Sequence, residues 1–431
     1  MKPMIPVPLT RRRLLIGGAI VFAGLAMPGS IRLAFADAPT ERRFVLIILR
    51  GALDGLAAVP PYADPDYASL RGALAFGKPG EQAGALDLDG RFGLNPALAP
   101  LLPMWQAREL TVLHAAATPY RDRSHFDGQN LLENGTRRPN GAPDGWLNRA
   151  LATLGNGDRR LGLAVGEVVP LVLTGGTPVA SWEPAGLLPE ASPDFLAQLA
   201  SLYRTDPLLG PALSNGIDAQ RLSDEVMSSG TDGLAMGGGM AVATTAADPG
   251  NGPNPKLRPA NLMAQAAEGA GKLLADARGP RIAVLEAGGW DTHANQGLMT
   301  GRLATALGGL ADGMVALKRG LGTAWSETVV VVVTEFGRTA APNGTGGTDH
   351  GTGTVALLAG GRVAGGRVIT AWPGLSPDKL YQGRDLAPTL DLRGPLKAAL
   401  AAQFDIDEAT LSQRVFPDSA AVEPKDGLIA S

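Results

Sequence analysis

Val329 to Val333 is an unbroken run of five valines, flanked by Thr328 and Thr334. β-branched side chains pack well on a pleated strand, and a strand apolar on both faces must be covered on both faces. That requirement points to a sheet sandwiched between helices. Shorter runs of the same kind, Phe44 to Leu49, Leu110 to His114 and Arg281 to Leu285, read as further buried strands. Helix-like stretches lie between them, notably Asn261 to Ala277 and Leu298 to Lys318. Strands alternating with helices predict an α/β fold with a central, mostly parallel sheet and helices on both faces.

Composition supports a globular chain and removes several chemistries. Apolar residues make up 45% of 431 positions and charged residues 18%, too few charges for general disorder. There is no cysteine, which excludes disulfides, thiolate metal sites and a cysteine nucleophile. The net charge of -3 with no basic face argues against a nucleic-acid partner.

The first 36 residues read as an address. They hold five basic residues and no acidic ones, with Arg11, Arg12 and Arg13 ahead of a moderately apolar stretch from Leu14 to Met27. Ala34-Phe35-Ala36 supplies the small-x-small pattern of a cleavage site. The stretch is too short and glycine-rich for a stable membrane anchor. Thr10-Arg11-Arg12-Arg13-Leu14-Leu15 resembles a twin-arginine export signal, implying the twin-arginine translocase as a partner and a periplasmic or secreted destination. Loss of residues 1–36 leaves 33 basic against 41 acidic residues, so the mature chain carries -8. Residues 37–431 are expected to form one domain. Residues 228–256, rich in Gly, Ser, Thr, Ala, Asn and Pro, read as a flexible insertion or lid, and the tail from Ala420 as frayed.

Polar motifs follow the predicted strands, where open α/β sheets gather their sites. Asp54 follows the first strand, although Asp-Gly is also an ordinary turn dipeptide. Asp291 and His293 sit in a loop opened by Gly288 and Gly289. Glu335 and Arg338 follow the valine strand, and a glycine-rich connection leads on to Asp349 and His350. The chain has only four histidines, His114, His125, His293 and His350. Two of them beside aspartates in glycine-rich loops suggest a transition-metal site, zinc, manganese or iron before the oxygen-seeking magnesium and calcium, with zinc or manganese favoured. The competing reading is that each Asp-His pair caps a turn. Ser124 opens a candidate helix from His125 to Glu133, where it is an ordinary N-cap and equally a hydroxyl at a site favourable to anions. Arg121, Arg123 and Arg338 are candidates to neutralise an oxyanion.

Six motifs occur in order: Arg50-Gly-Ala-Leu-Asp54-Gly-Leu56, Arg123-Ser124-His125-Phe126, Gly145-Trp146-Leu147-Asn148-Arg149, Gly289-Trp290-Asp291-Thr292-His293, Glu335-Phe336-Gly337-Arg338-Thr339 and Asp349-His350-Gly351. By these, most of residues 42–417 resembles the domain of unknown function 1501 family. That family is similar in fold to the alkaline phosphatase and sulfatase superfamily. The resemblance implies metals at the C-terminal edge of the sheet and a nucleophile at a helix start. On this basis Ser124 is the expected nucleophile, with His125 orienting it or acting as acid, and Arg123 and Arg338 holding the transferred group. Asp54, Asp291, His293, Glu335, Asp349 and His350 are the expected ligands of one or two divalent ions. The Asp-x-His spacing and the late Asp-His doublet depart from the superfamily pattern, and the sulfatase nucleophile signature is missing. The expected activity is hydrolysis of a phosphate or sulfate ester on a small molecule or glycan. A non-catalytic envelope or binding protein with a degenerate site is the alternative, and a metal-dependent oxidoreductase a third.

Overall fold

The computed structural model describes residues 40–155, 161–166, 168–184, 193–203 and 259–430, with single positions at 206, 213 and 226. The export segment 1–36 and the stretch 228–256 lie outside the described residues. So does most of the chain between 185 and 258.

Eleven strands are described: β1 (Arg43–Leu49), β2 (Leu86–Asp87), β3 (Gly93–Leu94), β4 (Leu110–Ala117), β5 (Gly162–Val165), β6 (Ala180–Trp182), β7 (Ile282–Ala287), β8 (Thr328–Thr334), β9 (Thr354–Ala359), β10 (Arg367–Ile369) and β11 (Leu390–Asp391). Nine belong to one sheet in the order β10-β4-β9-β8-β1-β7-β5-β6, with β11 also on β4, while β2 and β3 form a small antiparallel pair. β1 lies in the middle and is parallel to both neighbours, Phe44 pairing with Ile282 of β7 and Val329 of β8. Only β9 runs against its neighbours β4 and β8. The sheet is therefore mostly parallel, as the valine run predicts, and every residue of β8 is buried.

Both faces of the sheet are covered, because successive side chains of a strand point to opposite sides. Val45, Ile47 and Leu49 join a core with Ala267, Ala270 and Leu274 of helix Pro259–Ala275 and Leu307, Leu310, Met314 and Leu317 of helix Arg302–Leu321. Phe44, Leu46 and Ile48 face Trp146, Leu147 and Leu151 of helix Trp146–Thr153 and Leu396 and Leu400 of helix Arg393–Phe404. Each such side chain contributes about 1.5–3 kcal/mol by leaving water, so the register of β1 is strongly fixed. A one-residue slip would exchange the two cores.

β9 was not foreseen, and its direction matters for the site. Parallel neighbours need a long crossover, whereas antiparallel ones need only a loop. The connection from Glu335 to Gly353 therefore contains no helix and stays at the C-terminal edge of the sheet, returning Asp349 and His350 to it. Two expected boundaries move. The helix expected at Leu298 starts at Arg302, because the backbone of Gln296 is bound to Gly346 and to Leu303. The tail from Ala420 is docked rather than frayed. Leu428 is 1% exposed, Ile429 bridges Val363, and the buried Lys397 ammonium donates to the Val422 carbonyl.

Candidate metal centre

The loops after β1, β4, β7 and β8 and the one before β9 meet at one edge. Gly51, at φ 123°, shows how closely they approach: a Cβ there would sit 2.7 Å from the Asp291 nitrogen. Only glycine tolerates both that contact and that backbone. Its N–H donates to Glu335 Oε1 at 2.9 Å, so the loops of β1, β7 and β8 are joined at one point. Phe336 then turns under the helix His125–Asn134. A Cβ on Gly128 would lie 2.9 Å from the Phe336 ring, and that ring stacks on His125 with centroids 5.1 Å apart.

Three histidines converge here, each fixed from behind. His125 Nδ1 lies 2.8 Å from Glu335 Oε1, His293 Nδ1 3.0 Å from Asp349 Oδ1, and His350 Nδ1 2.9 Å from the Arg123 carbonyl. A carboxylate or carbonyl can only accept, so each Nδ1 carries the proton and each Nε2 is left facing the centre. Partners of this kind orient the histidines of metal sites. The Nε2 atoms gather on Asp291. His293 is 3.1 Å and His350 3.4 Å from its Oδ1, and His125 is 3.5 Å from its Oδ2. The ligand atoms of His125, Asp291 and His350 all lie within 4.8 Å of one another. His125 Nε2 is buried with no hydrogen-bond partner, and the Nε2 atoms of His293 and His350 are 2.9 Å apart. Two lone pairs at that distance repel unless a proton or a cation lies between them. This donor set, nitrogen with one carboxylate, fits a borderline transition metal.

The hydrogen bond to Glu335 outweighs burial and raises the His125 pKa. Burial, with repulsion from His125, lowers that of His350. Burial would raise Asp291, but the Arg338 guanidinium donating at 2.6 Å prevails and holds its pKa below the usual value. Burial likewise acts to raise Glu335, and the donors around it prevail in the same way.

The expected site residues thus divide. Asp291, His293 and His350 meet, and His125, expected near the nucleophile, joins them as a ligand-type nitrogen. Glu335 stands behind His125, fully buried, with both oxygens occupied: Oε1 by Gly51, His125 and Gln129, Oε2 by Thr334. Asp349 stands behind His293. Asp54 is buried in an ion pair with Arg71 at 2.6 Å, with Gln296 donating to the same oxygen at 2.7 Å, and it caps the short helix Gly55–Ala58. Ser124 is the N-cap of helix His125–Asn134 with extended backbone, yet its side chain makes no capping hydrogen bond. Arg123 and Arg338 are both committed to carboxylates, Arg123 to Asp385 at 2.8 Å and Arg338 to Asp291. Arg121 donates to the carbonyls of Thr118 and Tyr120.

Several residues escaped the sequence reading. Arg71, Asn343 and Asp385 carry no motif of their own. Gln296 ends the loop of the Asp-x-His pair and Thr348 precedes Asp349, so their positions were visible and their roles were not. Arg123 has a left-handed backbone at φ 62°, unfavourable for a bulky residue, and that bend aims its carbonyl at His350.

The family model described as protein of unknown function DUF1501 matches residues 194–415, just over half of the chain. The chain belongs to that family. No curated protein matches it by sequence. Among solved structures it is similar to Ps i-CgsB in complex with k-i-k-neocarrahexaose, at 12% identity and a TM-score of 0.38, covering 89% of this chain and 77% of that one. It is also similar to the C-terminal periplasmic domain of EcEptC from Escherichia coli, in complex with Zn, at 8% identity and a TM-score of 0.32, covering 78% and 77%. Likeness at this level carries no functional argument. Among the described residues, no helix is long and apolar enough to cross a membrane.

Proposed function

We propose that this family member is an exported, metal-dependent hydrolase of a phosphate or sulfate ester on a small molecule or glycan, with Ser124 as nucleophile. One observation carries the reading. His125, Asp291 and His350 bring ligand atoms within 4.8 Å of one another, and His125 directly follows a serine whose side chain makes no capping bond. A bound divalent ion, zinc or manganese, would supply Lewis acidity that acidifies a nearby hydroxyl and neutralises an oxyanion. The protein supplies the rest. Glu335 and the Arg123 carbonyl hold two imidazoles in one tautomer, Arg338 keeps Asp291 ionised, and the start of helix His125–Asn134 offers unpaired N–H groups to an anionic group. Ser124 Oγ would attack phosphorus or sulfur, the alcohol would leave with a proton, and water would release the serine ester.

The test is a panel of phosphate mono- and diesters and sulfate esters, assayed with the purified chain after each metal is added back. Ser124→Ala should abolish turnover of whichever ester is cleaved, and undiminished turnover would remove Ser124 from the mechanism. A second reading, a non-catalytic binding or envelope protein, draws on the arginines. Arg123 and Arg338, expected to clamp the transferred group, are each tied to a carboxylate. Metal bound with no ester cleaved across the panel would favour it.

A further inference from the structure

We infer that the centre holds a single ion in a three-histidine, one-carboxylate shell made of His125, His293, His350 and Asp291. Glu335, Asp349 and the Arg123 carbonyl act as positioning groups behind it. The inference rests on the metal-dependent reading above and goes beyond it in ion count and ligand identity.

Distances carry the argument. Four donors about 2.0–2.1 Å from one tetrahedral ion lie about 3.3 Å from each other. His293 Nε2, His350 Nε2 and Asp291 Oδ1, which also accepts from Arg338 at 2.6 Å and keeps one lone pair free, form a triangle with sides of 2.9, 3.1 and 3.4 Å, the face of such a tetrahedron to within a few tenths of an ångström. His125 Nε2, buried and without a hydrogen-bond partner, lies 3.5 Å from Asp291 Oδ2 and groups with Asp291 and His350 within 4.8 Å, so the fourth corner closes only as the His125 ring moves in toward the Oδ1 triangle. All three rings present Nε2, because all three Nδ1 protons are taken by fixed acceptors.

The carboxylates that would be needed for a second ion are already occupied. Asp54 accepts from Arg71, Gln296 and Ala57, and Glu335 from four protein donors. Asp385 is fully buried with its Oδ2 paired to Arg123, while its Oδ1 has no hydrogen-bond partner and faces the Arg384 guanidinium at 3.5 Å. Among the described residues, Asp349 alone of the expected ligands outside the shell is exposed, and its Oδ1 already takes His293 and Asn343. Three neutral imidazoles and a nitrogen-rich shell favour zinc over manganese.

The test reads metal, not turnover. The purified chain, stripped with a chelator and titrated with zinc, should bind one ion, and elemental analysis after dialysis should return one per chain. His125→Ala, His293→Ala and His350→Ala should each weaken zinc at least 100-fold. Glu335→Gln and Asp349→Asn should weaken it 10- to 100-fold with one ion still bound, the range for outer-shell partners. His114→Gln should leave it unchanged. Cobalt substitution of the unaltered chain, which does not depend on any variant folding, should give the intense visible bands of a tetrahedral site. Two ions per chain, no ion, a weak octahedral cobalt spectrum, or full affinity in His293→Ala would each overturn the inference. Because no ester is present, one zinc without hydrolysis would sink the proposed activity and leave this site standing, whereas hydrolysis with two ions would do the reverse.

Discussion

His114, in the middle of β4, and the three histidines beyond the strand ends occupy opposite kinds of environment. His114 Nε2 donates to the Val59 carbonyl at 2.9 Å and Nδ1 accepts from the Ala115 N–H at 2.8 Å, with Phe92 and Trp372 packed on the ring at centroid distances of 5.2 and 5.0 Å. Both nitrogens are satisfied by backbone, and the ring is part of the core. In the loop cluster each Nδ1 is satisfied and each Nε2 is directed at other acceptors. Burial does not separate a structural histidine from a candidate ligand; the fate of the second nitrogen does. The same test divides the carboxylates. Asp54 is satisfied on both oxygens in the manner of His114, while Asp291 is shared among three imidazoles and an arginine.

The largest expected effect breaks this division at Asp54. Asp54→Ala would strand the Arg71 guanidinium, whose side chain is fully buried, and leave Gln296 without its acceptor. Removing one partner of a buried pair costs about 3–5 kcal/mol, so urea denaturation should show a loss of that size. Zinc content of the folded fraction should stay at the wild-type level. Unchanged stability with lost metal would return Asp54 to the ligand shell.

The next effect sharpens the His114 side. Burial lowers its pKa from 6.5 to about 4. The unfolded chain therefore binds a proton that the folded one refuses, and stability falls as pH drops from about 6.5 towards 4. Above that window the contribution is constant. The full span is on the order of 3 kcal/mol. Urea midpoints across pH 4–7 should slope accordingly, and His114→Gln, which keeps a donor and an acceptor, should flatten the slope. An equal slope in both proteins would mean that His114 is not the buried neutral group described here.

A smaller effect tests the packing beneath the centre. Gly128→Ala puts a methyl against the Phe336 ring on which His125 stacks. Overpacking costs about 1–3 kcal/mol, partly offset by about 1 kcal/mol of helix propensity, so a net loss of about 1 kcal/mol is expected. Zinc affinity should fall with it, since His125 rides on that ring. A stabilised variant with unchanged affinity would show that Phe336 yields freely and does not set the ring.

The sequence made the sheet legible and the candidate shell only in part, for different physical reasons. Five consecutive valines can be buried on both faces in few ways, and β8 occupies Thr328–Thr334 as expected. β9 was missed because Thr354 to Ala359 is no more β-branched than many loops; its partners β4 and β8 make it a strand. Asp291, His293 and His350 stood out because histidine is scarce and glycine surrounds them. Glu335 carries the same local signal as a ligand, and nothing in its neighbours says that four donors will fill its oxygens. Which carboxylate is shared and which is saturated depends on residues far apart in the chain, such as Arg71 with Asp54 and Gly51 with Glu335. The distinction between ligand and support is tertiary.

The smallest effect on stability is expected at Ser124, where it separates two roles of one residue. An N-cap serine that bonds the first turn loses about 1 kcal/mol on replacement by alanine. Here the side chain makes no such bond; the Ser124 nitrogen is engaged by the Tyr120 hydroxyl at 3.1 Å, a contact that alanine keeps, and alanine gives up only the hydroxyl's own contact with Tyr120. Ser124→Ala should therefore change the urea midpoint by no more than about 0.5 kcal/mol. A loss near 1 kcal/mol would mean that the hydroxyl turns inward to cap the helix in solution, and the bland reading of this serine would be restored. A neutral effect on stability together with lost turnover would show a hydroxyl held at a helix start for chemistry rather than for the helix.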